Sequence, residues 1–447
     1  MPSHNFPSDI PVRVAGSDSL DQGTAYGKKP GARDAFLTEV APGTPCGEFM
    51  RRYWHPVALS SDCTTTPMEV RILGEDLILF RDGQGRPGLL HPRCVHRGTS
   101  LIYGKCEADG IRCCYHGWKF DVQGKCLEQP CEPQGGMKRE AARQPWYPVQ
   151  EQYGLVWAYM GPPEKKPLLQ KYDTFEELDP GEYVDANDMG RSLGGIGKRF
   201  ISPCNWLQHW ENVVDPAHVH ILHVAFTGYQ LASREERPTR DEPWVFEYAQ
   251  DGVKETNVSY YDDGRRVERV FRCRFPTEKR AADPYFRPGR FFVIGFCTPV
   301  DDTHVMVFTV SKFKRGEERH VQLNFGGKSW DQMTPTERRA TPGDYESQTG
   351  QGPVTLHSEE RLGTTDRGIV MLRRALRKQI EIVQAGGDPA GAIFDPLRQV
   401  IEVEGGNIFT DPDPQSASLG RLSPDDRPTP CSESMMDACT NQPLSHH

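Results

Sequence analysis

The sequence predicts an α+β chain in two parts, a small β-rich domain followed by a larger half in which helices and strands mix. Three observations predict it: short hydrophobic runs punctuated by turn-forming residues between about residues 50 and 165, further alternating runs downstream, and one late stretch with apolar residues at helical spacing. With 447 residues, 36% hydrophobic and 10% aromatic, the chain can fill two or three ordered domains. A balance of 53 Lys and Arg against 62 Asp and Glu, net −9, supplies no broad basic surface for nucleic-acid phosphates. Neither a leader-like apolar segment in the polar first 33 residues nor an apolar run of about eighteen residues is present, so we expect no membrane span and a cytoplasmic location.

Residues 1–50 read as an N-terminal segment with a short helix over about 37–53, where Phe49 and Met50 are flanked by Arg51 and Arg52. Residues 51–165 read as the β domain. There, the run 77–81, the turn Asp82-Gly83-Gln84-Gly85 and then Leu89 and Leu90 predict a hairpin, and the run 155–159 predicts a strand that Gly161, Pro162 and Pro163 stop. Residues 166–410 read as the mixed half, with a helix around 205–223, strands at 290–298 and 304–311, and a helix over 367–384. The last places Ile369, Leu372, Leu376, Ile380 and Val383 on one face, with Arg373, Arg374, Arg377 and Lys378 expected on a solvated one. Residues 411–447, rich in Asp, Pro and Ser without periodicity, read as a flexible tail, and we find no internal repeat.

Thirteen cysteines, an odd count without an export signal, suit metal ligation or reduced thiols better than a disulfide framework. Cys46, Cys63, Cys204, Cys273 and Cys297 stand singly and read as small core residues. The clustered ones differ. Cys94-Val95-His96 and, after the intervening residues 97–112, Cys113-Cys114-Tyr115-His116-Gly117-Trp118 each offer a thiolate and an imidazole. Two such loops suit a [2Fe-2S] cluster with thiolates on one iron and imidazoles on the other, whose neutral ligands raise the potential. A structural zinc site also accepts two Cys and two His, but zinc modules group Cys with Cys and His with His.

Cys-x-His followed by Cys-x2-His-Gly-Trp resembles the Rieske motif of ring-hydroxylating oxygenases. The resemblance implies that Cys94 and Cys113 bind one iron and that His96 and His116 bind the other; Cys114, beside Cys113, could compete for its place on sequence grounds, and the spacing favours Cys113. The extra disulfide of respiratory Rieske proteins would need cysteines at Thr99 and Tyr115, which argues for the oxygenase branch.

A second cluster packs His209, Glu211, Asp215, His218, His220 and His223 into one short segment, far denser than 14 His over 447 residues would scatter. A mononuclear Fe(II) that must bind O2 beside a substrate needs two His and one carboxylate on one side, with open positions opposite. Which His is not decided by chemistry alone. Asp215-x2-His218-x4-His223 is similar to the family pattern Asp-x2-His-x4-His, which implies His218 and His223 as ligands and His220 as a bystander. Asp215, one helical turn before His218, can accept that ring's proton, and in the family its equivalent also reaches a cluster His of a neighbouring subunit, here His116. The alternative for Asp215 is simple helix N-terminal charge. The third ligand falls in text similar to the phthalate-dioxygenase branch, and aligning Gly352-Pro353 implies Asp344, with Glu346 in reserve.

The resemblance spans about residues 37–396. It implies a β-rich Rieske domain joined to a helix-grip (START-like) catalytic domain with an antiparallel sheet. It also implies a homotrimer packed head to tail, and a terminal oxygenase that inserts oxygen from O2 into an aromatic, acidic substrate by ring hydroxylation or oxidative O-demethylation. Gly194-Gly195-Ile196-Gly197 lacks a dinucleotide-binding context, so electrons must come from a separate NAD(P)H-dependent reductase, directly or through a ferredoxin. Two other classes compete. An electron carrier would not need the second cluster, and a zinc-stabilised binding protein would be colourless.

Overall fold

In a computed structural model of the chain, the described residues are 25, 27–137, 139–192, 200–227, 239–261, 264–281, 289–290, 293–316, 323–324 and 326–410. The expected tail at 411–447 and the glycines at 194–197 lie outside them.

The single helix expected near the N-terminus is two short ones, α1 (Ala35–Thr38) and α2 (Pro45–Met50). Gly43, with φ +81°, breaks the run, and a fresh helix starts at Thr44, whose hydroxyl accepts from Gly47 N, with Pro45 preset for the first turn. The strands of the first half are β1 (Trp54–Leu59), β2 (Met68–Ile72), β3 (Glu75–Arg81), β4 (Pro87–Leu90), β5 (Lys105–Glu107), β6 (Gly110–Arg112), β7 (Lys119–Phe120), β8 (Cys126–Glu128), β9 (Trp146–Tyr147), β10 (Val149–Gln152) and β11 (Leu155–Tyr159). They form three antiparallel sheets in the orders β1-β11-β10, β2-β3-β4-β9 and β5-β6-β7-β8. The expected hairpin is β3–β4, in register Ile78 with Leu90, and the buried Asp82 closes its turn by accepting from Gln84 N and Arg86 N.

The second half is an eleven-stranded sheet. Its main strands are β12 (Glu182–Asp188), β13 (Val245–Ala249), β14 (Gly252–Tyr260), β15 (Arg266–Arg274), β16 (Glu278–Arg280), β17 (Val293–Asp301) and β18 (His304–Lys314). The path runs β12-β18-β17-β16-β15-β14, with β13 paired to β14. One face carries α3 (Trp206–Glu211) and the long α5 (Arg367–Gln384), with α4 (Asp344–Gly350) beside them. Trp206, Leu207 and Trp210 of α3 share a core with Leu372, Leu376 and Ile380 of α5 and with Val253, Cys273 and Cys297 of the sheet. Full burial of each of those three aliphatic side chains of α5 contributes about 1.5–3 kcal/mol. The opposite face meets Trp157 and Tyr159 of β11 through Phe296 and Phe308. Cys46, Cys63, Cys204, Cys273 and Cys297 are all buried, as expected of core residues.

Two readings need correction. The helix expected around 205–223 is broken: α3 passes into a 3-10 turn at Asn212–Val214, restarts at Pro216 and continues as a π-helix over Val219–Thr227. Proline at 216 lacks the N–H that a continuous helix would use, so the chain must restart there. The basic face of α5 is only half solvated. Arg374 and Lys378 are exposed, but Arg373 bridges Glu211 and Glu360, and Arg377 reaches Asp34. Among the described residues no helix is long and apolar enough to cross a membrane.

Candidate active site

Cys94 and Cys113 begin two loops of the same construction. Cys94 N donates to Thr99 O and Gly98 N back to Cys94 O; in the other, Cys113 N donates to Trp118 O and Gly117 N to Cys113 O. Each turn closes on a glycine at positive φ, Gly98 at +77° and Gly117 at +71°. A side chain at 117 would also strike Pro130, 2.7 Å from a Cβ there. The loops put both thiols inside and both imidazoles outward: Cys94 and Cys113 are buried, while the His96 and His116 rings meet edge to face at 4.5 Å. Burial, chiefly, pushes the Cys94 thiol up to about 11, and the neighbouring Cys113 adds to this. Such a thiol becomes a thiolate when a metal binds.

Trp118 stacks flat on His96, 4.4 Å apart and 3° from parallel. Gln144, fully buried, holds the first loop by donating to His91 O and Arg93 O and accepting from Val95 N. Sequence reading missed Gln144, because nothing local marks a glutamine fifty residues away as a loop strut. Cys114 is exposed, so it does not share the interior position of Cys113. No three of these Cys and His donors lie within 4.8 Å of one another, whereas one tetrahedral zinc would hold its ligands about 4 Å apart. Thiols at one end and imidazoles at the other match a two-iron unit better.

In the second half, among the described residues, one group of His, Cys, Asp or Glu has three donor atoms within 4.8 Å: His218, His223 and Asp344. In an α-helix His218 and His223 would sit about 140° apart around the axis. The π turns between them close after about five residues and bring both rings to one side. Asp344, the first residue of α4, faces them: its Oδ1 lies 3.2 Å from His223 Nε2 and 3.6 Å from His218 Nε2. Both ring nitrogens of His223 are buried without a hydrogen-bond partner among the described residues. That is the geometry of groups that share a cation rather than a proton. Burial alone would raise the Asp344 carboxyl, but His223 and His218 outweigh it and hold it well below the usual carboxylate range. The side chain of His220 lies outside the described residues.

Glu346 is engaged elsewhere. Its Oε2 accepts from Gly343 N at the start of α4 and its Oε1 from Trp330 Nε1. Asp215 differs from expectation. Its carboxylate accepts from His218 N at 3.4 Å, as a helix cap does, and stands 3.8 Å from the ring Nδ1, which is hydrogen-bonded instead to the backbone carbonyl of Asp215. The carboxylate thus sits as a helix cap, and the ring one turn on takes the backbone carbonyl rather than the carboxylate as its partner. Burial raises its carboxyl.

Three further residues position the trio and were missed in the sequence because none is a ligand type. Asn212 Nδ2 lies 3.2 Å from His218 Nε2 and 3.4 Å from Asp344 Oδ1. Gln208 donates to Gln348 O and Gly352 O and accepts from Thr355 N, which fastens α4 to α3. Arg373 makes paired bonds to Glu211, the last residue of α3, and to Glu360. A groove of about 560 Å3 runs along this side, lined by Asp215, His218, Ile221, Phe226, Glu360 and Arg373 among others.

Each constellation falls within a region similar to a known family. Residues 53–151 match the family described as Rieske [2Fe-2S] domain, and residues 202–381 match the vanillate O-demethylase oxygenase C-terminal domain. The chain is 48% identical over 407 residues to the phenoxybenzoate dioxygenase subunit alpha of Ectopseudomonas oleovorans, covering 89% of this chain and 96% of that protein. It is 35% identical over 461 residues to the tert-butanol monooxygenase / tert-amyl alcohol desaturase oxygenase subunit of Aquincola tertiaricarbonis, covering 94% and 89%. The Pseudomonas putida CBB5 NdmA QL mutant with caffeine shares the fold, with a TM-score of 0.56 at 17% identity over 76% of this chain and 94% of that one.

Proposed function

The chain belongs to the Rieske non-haem iron oxygenases, as an oxygenase alpha subunit, and on that premise we propose that it inserts oxygen from O2 into an aromatic carboxylic acid by ring hydroxylation or oxidative O-demethylation. The observation that carries the reading is the convergence of His218, His223 and Asp344 in the same chain as the two Cys-His loops. An electron carrier would have no use for the trio, and this sets that reading aside.

The donor sets fit both groups: Cys94 and Cys113 would hold one cluster iron, His96 and His116 the other, and His218, His223 and Asp344 the mononuclear Fe(II). Bound there, the cluster supplies one-electron relay and the Fe(II) supplies oxygen activation. The chain's own residues do the rest. Trp118 fixes the plane of His96, Gln144 fixes its loop, and Gln208 and Arg373 keep α3 and α4 rigid so that the trio stays converged. Asp215 orients His218 through its backbone carbonyl, and its carboxylate, which caps the helix at His218 N, lines the groove.

A homotrimer packed head to tail would set that carboxylate against His116 of a neighbouring copy. Two features support this arrangement: Val95, Tyr103 and Tyr115 are exposed near the cluster loops, and Ile221 and Phe226 are exposed on the groove. Electrons would come from a cytoplasmic NAD(P)H-dependent reductase, directly or through a ferredoxin. Oxygen uptake with 3-phenoxybenzoate, vanillate and phthalate, a surrogate reductase and product mass spectrometry test the proposal. A product carrying oxygen from 18O2, or formaldehyde released from a methoxyarene, supports it. NAD(P)H oxidation that never depends on any aromatic acid contradicts it.

A further inference from the structure

Lys279 stands between Glu278 and Arg280 on β16, and strand alternation sends its side chain to the face opposite theirs. On their face, Glu278 is fully paired: it accepts from Arg280 Nε at 2.6 Å, Arg274 Nη1 at 3.1 Å and the Tyr172 hydroxyl at 2.8 Å. Lys279 instead shares the face of its register partners Cys273 on β15 and Gly295 on β17. That face lies beneath α3, since Cys273 Sγ donates to Trp210 O at 3.3 Å. The lysine stem crosses Gly295, where a Cβ would come within 2.9 Å of its Cγ and Cε, so a side chain at 295 would displace it. Its Nζ donates to Nδ1 of His209 at 3.2 Å.

Several other shielded cations among the described residues have carboxylates: Arg274 has Asp251 and Glu278, Arg373 has Glu211 and Glu360, Arg51 has Glu75 and Lys119 has Asp109. Lys279 has none among the described residues, and His209 cannot stand in for one. Burial first, and the Lys279 charge second, hold that imidazole down to about 3, so it is neutral and accepts. A shielded cation without a counter-charge is costly unless one arrives with a ligand. Lys279 is also only half-buried although it lies on a central strand.

The position of this cation relative to the trio is informative. Asn212, which touches His218 and Asp344, follows His209 by three residues, about 4.5 Å along a helix axis. His209, which holds the cation, and Asn212, which touches the trio, are thus about one helical turn apart on the same segment. We propose that Lys279, oriented by His209, is a specificity-determining residue that receives the substrate's carboxylate and so directs the ring toward His218, His223 and Asp344. The inference rests on the oxygenase reading above and adds the residue that recognises the acid.

The test uses Lys279→Met and Lys279→Arg in the full-length holoenzyme, with 3-phenoxybenzoate and its uncharged analogue 3-phenoxybenzamide as probes. Anaerobic equilibrium binding gives the dissociation constants, and oxygen uptake with reductase gives KM and kcat. Lys279→Met is expected to weaken acid binding about 10–100-fold, as loss of a charge-assisted hydrogen bond does, and to leave the amide within about twofold. The loss falls on KM, Lys279→Arg retains most of the affinity, and iron content and visible spectrum are unchanged. Equal losses for acid and amide, or an unaltered acid affinity, overturn the assignment. A wild type that oxidises the acid yet binds acid and amide alike overturns it while leaving the oxygenase reading intact. A wild type that oxidises no aromatic probe overturns both.

Discussion

Glu255 offers a quantitative test of the sheet face that meets the active-site segment. It lies on β14, is fully buried, and neither carboxyl oxygen has a hydrogen-bond partner among the described residues. Burial, opposed by Arg269 and reinforced by the Asp215 charge, pushes its carboxyl from the ordinary 4.5 up to about 8. The folded protein therefore keeps a proton that the unfolded chain releases. As pH rises from about 4.5 to about 8, folding must hold that proton against an increasing cost, so stability is full below 4.5 and declines through this window. At pH 7.5 the deficit is roughly 4 kcal/mol, from about 1.4 kcal/mol per pH unit over about three units. Glu255→Gln removes the titration. Thermal scans of the wild type and variant should coincide near pH 4.5 and diverge on the order of 10 °C by pH 8, the variant being the more stable. Curves that run parallel across the window would refute the claim that this carboxyl is held protonated inside the fold.

The remaining predictions concern the site and its supports. His218→Ala should abolish oxygenation while leaving the visible spectrum of the cluster, and a bleached variant would show that the two centres are not separate. Asp215→Asn should retain both metals yet slow reduction of the mononuclear site at least tenfold in rapid-mixing experiments; near-normal oxygenation would remove Asp215 from the path between subunits. Arg373→Met leaves the buried Glu211 without its partner, and chemical denaturation should report a loss of about 3–5 kcal/mol. The double variant Arg373→Met/Glu211→Gln should recover part of it, because the stranded charge is then gone as well.

What the sequence made legible was whatever chemistry confines to a short stretch. The Cys-x-His and Cys-x2-His pairs stand out in local pattern, and so do the core cysteines, the β3–β4 hairpin and the full length of α5, which the structure places as read. The strands expected at 290–298 and 304–311 are β17 and β18, offset by a few residues because hydrophobic alternation marks a strand better than its ends. Pro216 marked the break within 205–227, but the π-helix after it was not legible, since a π-helix has no distinctive composition. The preference for Asp344 over Glu346 came from the resemblance rather than from local chemistry; in the structure Asp344 lies with the two histidines while Glu346 is taken up by Gly343 N and Trp330. The partners of Arg373, Gln144 and Lys279 lie on distant elements or on the far side of a sheet, beyond the reach of any sequence window.

The central claim is that one polypeptide holds an electron-relaying cluster and a separate oxygen-handling iron. Iron and acid-labile sulfide, assayed on anaerobically purified, reconstituted protein in parallel for the wild type and for His218→Ala/His223→Ala, test it most directly. The account predicts about three irons and about two sulfides per chain in the wild type, and the loss of about one iron and no sulfide in the double variant. A colourless protein without sulfide, or a variant that loses iron and sulfide together, would contradict it.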